Sequence, residues 1–285
     1  MGQYVTTLKG TVLYIQDTPG EKGTIIGVHG LTGNHKQLHH YQEYFLGEYR
    51  FISYDLRGRG NSDPAPAHSS IYTHAEDLLD LIATLGIERP ILLGYSMGAY
   101  ICSIAASRLP EVKALILLDG AGEADDETRE LVLPSLGRLG KRYGSPNEYK
   151  EEAKRLYTGL GVDWGTYMEE VVLYEIREEA GVWRNKADAP TIIRDFDSFF
   201  TFRPESVFPQ VACPCFLLTA AGSLGKGPLF KEKGYVRTKK LIPRIRTKVT
   251  TLNHYELVFN RQPDILYTIR QFLSSIQPAA GKHSE

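Results

Sequence analysis

The sequence predicts an α/β fold: a mainly parallel, doubly wound sheet with an N-terminal antiparallel hairpin and an inserted helical cap. Three observations carry this prediction. Short apolar runs alternate with helix-like stretches, the pattern of strands buried on both faces and joined by crossover helices. Each of the first four runs ends in a distinctive loop of glycine and polar residues. From 121 to about 210 the strand rhythm stops and charged, amphipathic sequence replaces it.

Taken in order, residues 3–8 and 11–16 alternate around Lys9-Gly10 and predict a hairpin. Thr24-Ile25-Ile26-Gly27-Val28 then leads into His29-Gly30, and Phe51-Ile52-Ser53-Tyr54 into Asp55-Leu56-Arg57-Gly58. Ile91-Leu92-Leu93 leads into Gly94-Tyr95-Ser96, and the run 114–118 into Asp119-Gly120. Loops at the carboxyl ends of parallel strands converge on one crevice, where helix N-termini offer free N–H groups, so chemistry is expected there.

Strands at 216–218 and 247–252 and a terminal helix at 263–276 complete the pattern. The expected organisation is a core of 1–120 and 211–277, a helical cap at 121–210 and a flexible polar tail at 278–285. Helical sequence at 126–133, 148–160 and 166–179 fills the cap. The cap is rich in aromatic rings (Tyr143, Tyr149, Tyr157, Trp164, Tyr167, Tyr174, Trp183, Phe196, Phe199, Phe200, Phe202), some of which are expected to line an apolar pocket over the crevice, while most pack the cap onto the core.

Composition narrows the partners. With 285 residues, 42% of them hydrophobic, and a net charge of −1, the chain can bury a sizeable core and shows no bias toward nucleic acid or an anionic membrane. The expected ligand is small, partly apolar and uncharged or weakly charged, and oligomeric state is left open. Three cysteines cannot build a disulfide framework, and Cys213-Pro214-Cys215 reads as the start of a buried strand rather than a metal site. No basic segment followed by an apolar one opens the chain, and no apolar run approaches the length of a membrane span, so the cytoplasm is expected. Met1-Gly2-Gln3-Tyr4-Val5-Thr6 fits a loose N-acylation template, but the same residues alternate as a strand and no polybasic segment follows. His35, His39 and His40 read as a solvated helix face, with no metal and no cofactor expected.

Chemistry centres on Gly94-Tyr95-Ser96-Met97-Gly98, between an apolar run and a small-residue helix. A G-x-S-x-G turn forces its serine into a strained conformation that exposes the hydroxyl, and its glycines let neighbouring backbones pass. Serine at its ordinary pKa is a poor nucleophile and needs a base, and His254, between the last strand and the terminal helix, is the candidate.

These residues resemble the α/β-hydrolase fold superfamily in its capped subgroup, over about residues 3–276. His29-Gly30-Leu31-Thr32-Gly33 is similar to its oxyanion loop, and Asp55-Leu56-Arg57-Gly58-Arg59-Gly60-Asn61-Ser62-Asp63 to its D-x-R-G-x-G-x-S loop. Gly94 to Gly98 resembles its nucleophile elbow, and Asn253-His254 lies where its histidine follows the last strand. The resemblance implies Ser96 as nucleophile, His254 as base, the backbone N–H groups of Leu31 and Met97 as oxyanion donors, and His29 and Gly30 as loop supports. Asp55 is expected to order the loop 57–63.

One departure stands out. Thr219 to Gly227, the loop that carries the acid in most members, contains no carboxylate. Asp119 is the expected replacement, as in members that place the acid after that strand. Glu232, a neighbouring cap carboxylate or a Ser–His dyad are the alternatives. The expected activity is a serine esterase acting on a small or medium carboxylic ester through an acyl-enzyme. Lactone, thioester and C–C bond hydrolysis use the same machinery. A slow-turnover ligand-binding or signalling homologue and a cofactor-free oxygenase are the other readings. Serine at the elbow, in place of aspartate, argues against epoxide hydrolase or dehalogenase chemistry.

Overall fold

Strand pairing in the computed structural model, which describes residues 2–276, follows from the alternation of apolar side chains. The hairpin strands β1 (Gly2–Thr6) and β2 (Val12–Thr18) pair antiparallel, and β2 pairs antiparallel with β4 (Arg50–Tyr54). From there β3 (Thr24–Val28), β5 (Ile91–Tyr95), β6 (Ala114–Leu118), β10 (Cys215–Ala220) and β11 (Ile245–Thr250) continue in parallel. The eight-stranded order is β1-β2-β4-β3-β5-β6-β10-β11. The last strand lies two residues earlier than the run 247–252 suggested, because Ile245 pairs with Cys215 at the sheet edge, where alternation is only half buried.

The central strands β5 and β6 are buried along their whole length, with successive side chains entering opposite layers. Leu92, Leu115 and Leu117 pack in one layer with α2 (Ile71–Thr84) and α3 (Met97–Arg108). Ile91, Leu93, Ile116 and Leu118 pack in the other with α1 (His39–Phe45) and the terminal helix. This is the two-residue period of a strand translated into a three-layer core.

Between β6 and β10 run α4 (Asp126–Leu136), α5 (Pro146–Gly159), α6 (Thr166–Tyr174), α7 (Ala189–Asp197) and α8 (Pro204–Val207). Local capping sets two of their starts: Ser145 accepts from the Glu148 N–H ahead of α5, and Asp188 from the Thr191 N–H ahead of α7. The segment is not purely helical. Strands β7 (Arg142–Tyr143), β8 (Ile176–Glu179) and β9 (Val182–Asn185) form a small antiparallel sheet in the order β7-β9-β8. The expected helix 166–179 therefore stops at Tyr174, because Ala180 (φ 52°) and Gly181 (φ 78°) make the left-handed turn that closes a two-residue hairpin. Alanine in that turn gave no sequence signal for it. The chain ends through α9 (Val236–Leu241), α10 (Glu256–Phe259) and α11 (Pro263–Ser275). The tail 278–285 lies outside the described residues. Among the described residues no helix is long and apolar enough to cross a membrane.

The fold's tightest approach is at the elbow. A Cβ on Gly94 would sit 2.2 Å from the Gly98 carbonyl oxygen, and one on Gly98 would sit 2.1 Å from that of Val28. Both obstacles are backbone and cannot rotate away. Gly94→Ala is therefore expected to lower the unfolding free energy by about 3 kcal/mol or more, read from urea melts. Gly159→Ala, at a helical position where a Cβ meets nothing within 4 Å, should instead raise it by about 0.5–1 kcal/mol. Equal effects at the two sites would contradict this account.

Candidate active site

Ser96 lies between β5 and α3 at φ 54°, ψ −118°, a strained region for a residue with a side chain. Its N–H donates to the Leu118 carbonyl at 2.9 Å, which ties the turn to the next strand. Because Met97 is the first residue of α3, its N–H has no intrahelical acceptor, and the Ser96 side chain does not cap it. Leu31, in the loop after β3, lines the same cavity as Ser96, and its N–H meets no acceptor among the described residues.

Asp119 follows β6 at φ 44° and is fully buried. Its Oδ2 lies 2.7 Å from Nδ1 of His254, and its Oδ1 accepts from the Ala220 N–H and the Tyr235 hydroxyl, each at 2.9 Å. The end of β10, at the start of the loop that lacks a carboxylate, thus contributes a backbone donor to Asp119. Glu232 is on the surface, paired with Lys239. The His254 ring stacks on Tyr95 with centroids 4.8 Å apart, and the Tyr95 hydroxyl donates to the His254 carbonyl at 3.0 Å. Burial pushes the Tyr235 hydroxyl, with the Asp119 charge beside it, well above the usual phenol range, so it remains a donor.

Several contacts fix the loop 29–33. The Gly30 N–H donates to Oε1 of Gln37 at 2.7 Å. A Cβ on Gly30 would come within 3.3 Å of the Ser96 Cβ. Arg59, fully buried, donates from Nε and Nη2 to the Leu31 carbonyl at 3.1 and 3.0 Å and pairs through Nη1 with Asp195 of α7 at 2.5 Å. Asp195 also accepts from Ser69 at 2.6 Å and meets Nε2 of His74 at 3.0 Å. His29 braces the loop from behind: Nδ1 is 2.7 Å from the Gly30 carbonyl and Nε2 accepts the Leu56 N–H at 3.1 Å.

Asp55 lies under the next loop, accepting from the Asn61 N–H (2.9 Å), the Tyr174 hydroxyl (2.5 Å) and both the N–H (2.8 Å) and Nδ1 (2.9 Å) of His35. Burial opposes its ionisation, but these donors outweigh it and hold the carboxyl below the usual range. His35 is therefore buried, not part of a solvated face, because Asp55 draws it inward. His39 and His40 are half-buried on α1, with Glu43 beside them.

Ser96, His254, Leu31, Gln37, Phe199 and Phe230 share a cavity of about 50 Å³. Of the aromatic residues between β6 and β10, Phe199 reaches it. Sequence reading missed Gln37, Phe230 and Tyr235, which lie in stretches without a motif and reach the site only through the fold.

Burial holds the His29 pKa down to about 3, against an ordinary 6.5. An unfolded chain therefore takes up a proton below pH 6.5 that the folded chain refuses until about pH 3. Stability should fall with falling pH in that window, by up to about 1.4 kcal/mol per unit from this group. Urea melts from pH 6.5 to 4.5 should show a shallower slope in His29→Asn. Parallel curves would remove His29 from the acid response.

The alpha/beta hydrolase fold family matches residues 23–155. The AB hydrolase superfamily protein YisY of Bacillus subtilis is 37% identical over 131 residues, 44% of this chain and 47% of that protein, so the match spans about half its length. N-formylmaleamate deformylase of Pseudomonas putida is 27% identical over 213 residues, 70% of each chain. Among solved structures, E-2-(acetamidomethylene)succinate hydrolase superposes with a TM-score of 0.84 at 18% identity over 96% of this chain and 99% of that one, a likeness of fold. With its strand order, its strained serine turn and the matching stretch 23–155, the chain has the α/β-hydrolase fold.

Proposed function

We propose that the chain is a serine hydrolase that cleaves a small carboxylic ester through an acyl-enzyme on Ser96. The observation that carries this reading is the 2.7 Å contact of His254 Nδ1 with Asp119 Oδ2, with His254 and Ser96 facing one cavity. Nδ1–H donates to Asp119, which leaves Nε2 basic and able to take the Ser96 proton as Oγ attacks the carbonyl carbon. The N–H groups of Met97 and Leu31 receive the developing oxyanion. Collapse expels the alcohol, which takes the proton from Nε2. Water, deprotonated by the same nitrogen, then releases the acid and frees Ser96. Asp119 is the orienting acid, its second oxygen occupied by Ala220 N–H and Tyr235.

Residues 121–210 act as the cap in this reading, and the cavity limits the substrate. Its volume of about 50 Å³ has room for a group of a few heavy atoms, and Phe199, Phe230 and Leu229 give it apolar walls. A short, weakly charged acyl group fits that description. The similarity to N-formylmaleamate deformylase supports a second reading, in which the same machinery removes a small acyl group from nitrogen.

A fluorophosphonate should label the folded protein at Ser96, and Ser96→Ala should abolish the label. No adduct on the wild type would end the acyl-enzyme proposal. Wild type should hydrolyse p-nitrophenyl acetate with a higher kcat/KM than the hexanoate, and His254→Ala should lose both activities. Asp119→Asn should lower kcat on the order of 10⁴-fold, and a loss within about threefold would take the orienting role from Asp119. Tyr235→Phe removes one of the donors to Asp119 and should cost about fivefold in kcat, the equivalent of about 1 kcal/mol.

A further inference from the structure

The histidines of α1 remain without a role in the proposed reaction, and their surroundings give them one. His39, His40 and Glu43 occupy positions i, i+1 and i+4, so that Glu43 lies one turn below both rings. One ligand atom from each of the three lies within 4.8 Å of the other two. A zinc ion with ligands at about 2.1 Å holds tetrahedral donor atoms about 3.4 Å apart. Closing the cluster onto an ion therefore needs side-chain movements that shorten these separations by up to about 1.4 Å.

Each ring is already oriented. His40 Nε2 lies 3.1 Å from the Phe259 carbonyl of α10, so that this nitrogen carries the proton and Nδ1 carries the lone pair. That Nδ1 is buried and meets no hydrogen-bond partner. A carbonyl that holds one imidazole nitrogen fixes the tautomer and ring orientation of a histidine ligand. Tyr167 of α6 stacks on His39 with centroids 4.6 Å apart and meets His40 edge-on at 4.8 Å. Its hydroxyl is tied to the Lys36 carbonyl at 2.9 Å, which holds the aromatic wall in place.

Charge is compatible with a divalent ion. Glu43 is exposed and makes no ion pair among the described residues. Two cations lie nearby: Lys36 is paired with Glu170 at 3.1 Å, and Arg261 is exposed and near His40.

We propose that His39, His40 and Glu43 form a surface site for a divalent transition-metal ion of borderline softness, Zn²⁺ being the type, with water as the fourth ligand. Two neutral imidazoles and one carboxylate are the donor set that suits such an ion. Through the His40–Phe259 contact the ion links α1 to α10, close after His254 in the chain. Its expected effect is stabilisation of that contact, independent of acyl transfer at Ser96.

The test uses the tag-free full chain, stripped with EDTA and titrated with Zn²⁺ against a chromogenic chelator. One equivalent is expected to bind, with a rise of several degrees in Tm. Co²⁺ should give visible d–d bands of a four-coordinate site. Glu43→Gln, an exposed change that leaves the packing alone, and His40→Ala should each weaken Zn²⁺ binding about tenfold or more and remove the Tm rise. His68→Ala, at an exposed histidine elsewhere, should leave both unchanged. If His40→Ala does not fold, Glu43→Gln and His39→Gln carry the comparison. Absence of binding at millimolar Zn²⁺, or binding that the Glu43 and His39 variants leave unchanged, would overturn the proposal.

Discussion

The conformation of one peptide segment constrains most of this structure. Ser96 is held at a positive φ where a side chain is strained, and such strain costs about 1–3 kcal/mol unless the surroundings enforce it. They do so on three sides. The Ser96 N–H is bonded to β6, Gly98 lies against the Val28 carbonyl of β3, and Gly120 lies against the Ser96 carbonyl, where a Cβ would come within 2.2 Å. The close crossing of β5, α3 and β3 is what fixes Ser96, and the glycines are its consequence.

From that point two networks spread in different directions. One runs from β6 through Asp119 to His254, with Tyr235 and the Ala220 N–H holding the second carboxylate oxygen. The other runs from the Leu31 carbonyl through Arg59 to Asp195 of α7, so that the segment between β6 and β10 is fastened to the loop beside Ser96. Both networks are buried and charged. Removing one partner of such a pair strands the other in a low-dielectric interior, at about 3–5 kcal/mol. The same arrangement that shapes the crevice therefore also contributes to holding the chain around it, and the proposed chemistry depends on both.

Legibility varied with how local each signal was. The elbow could be read directly because its glycines answer to residues four positions apart or to the adjoining strand. The parallel sheet was equally plain, since buried strands leave continuous apolar runs. Asp119 needed an argument by elimination from an empty loop, and the structure brings it, not Glu232, to His254. Tyr235 gave no signal: it meets Asp119 across 116 positions of chain. His35 was misread, because its spacing from His39 and His40 suggested a common face while Asp55, twenty positions away, pulls it into the interior. The hairpin of β8 and β9 was hidden by alanine in a turn that asparagine or glycine would have advertised.

By itself, the sequence determined what depends on short-range periodicity and sterics. That covers the α/β class, the sequential order of buried strands, the serine turn and the position of His254 after the last strand. Tertiary structure alone decided which carboxylate reaches His254, which backbone carbonyl Arg59 restrains, how little space remains beside Ser96, and that Glu43 joins His39 and His40. The reason is physical: strand and turn preferences are written in neighbouring residues, whereas a buried carboxylate finds its donors, and a cavity its volume, only when segments distant in the chain are packed together.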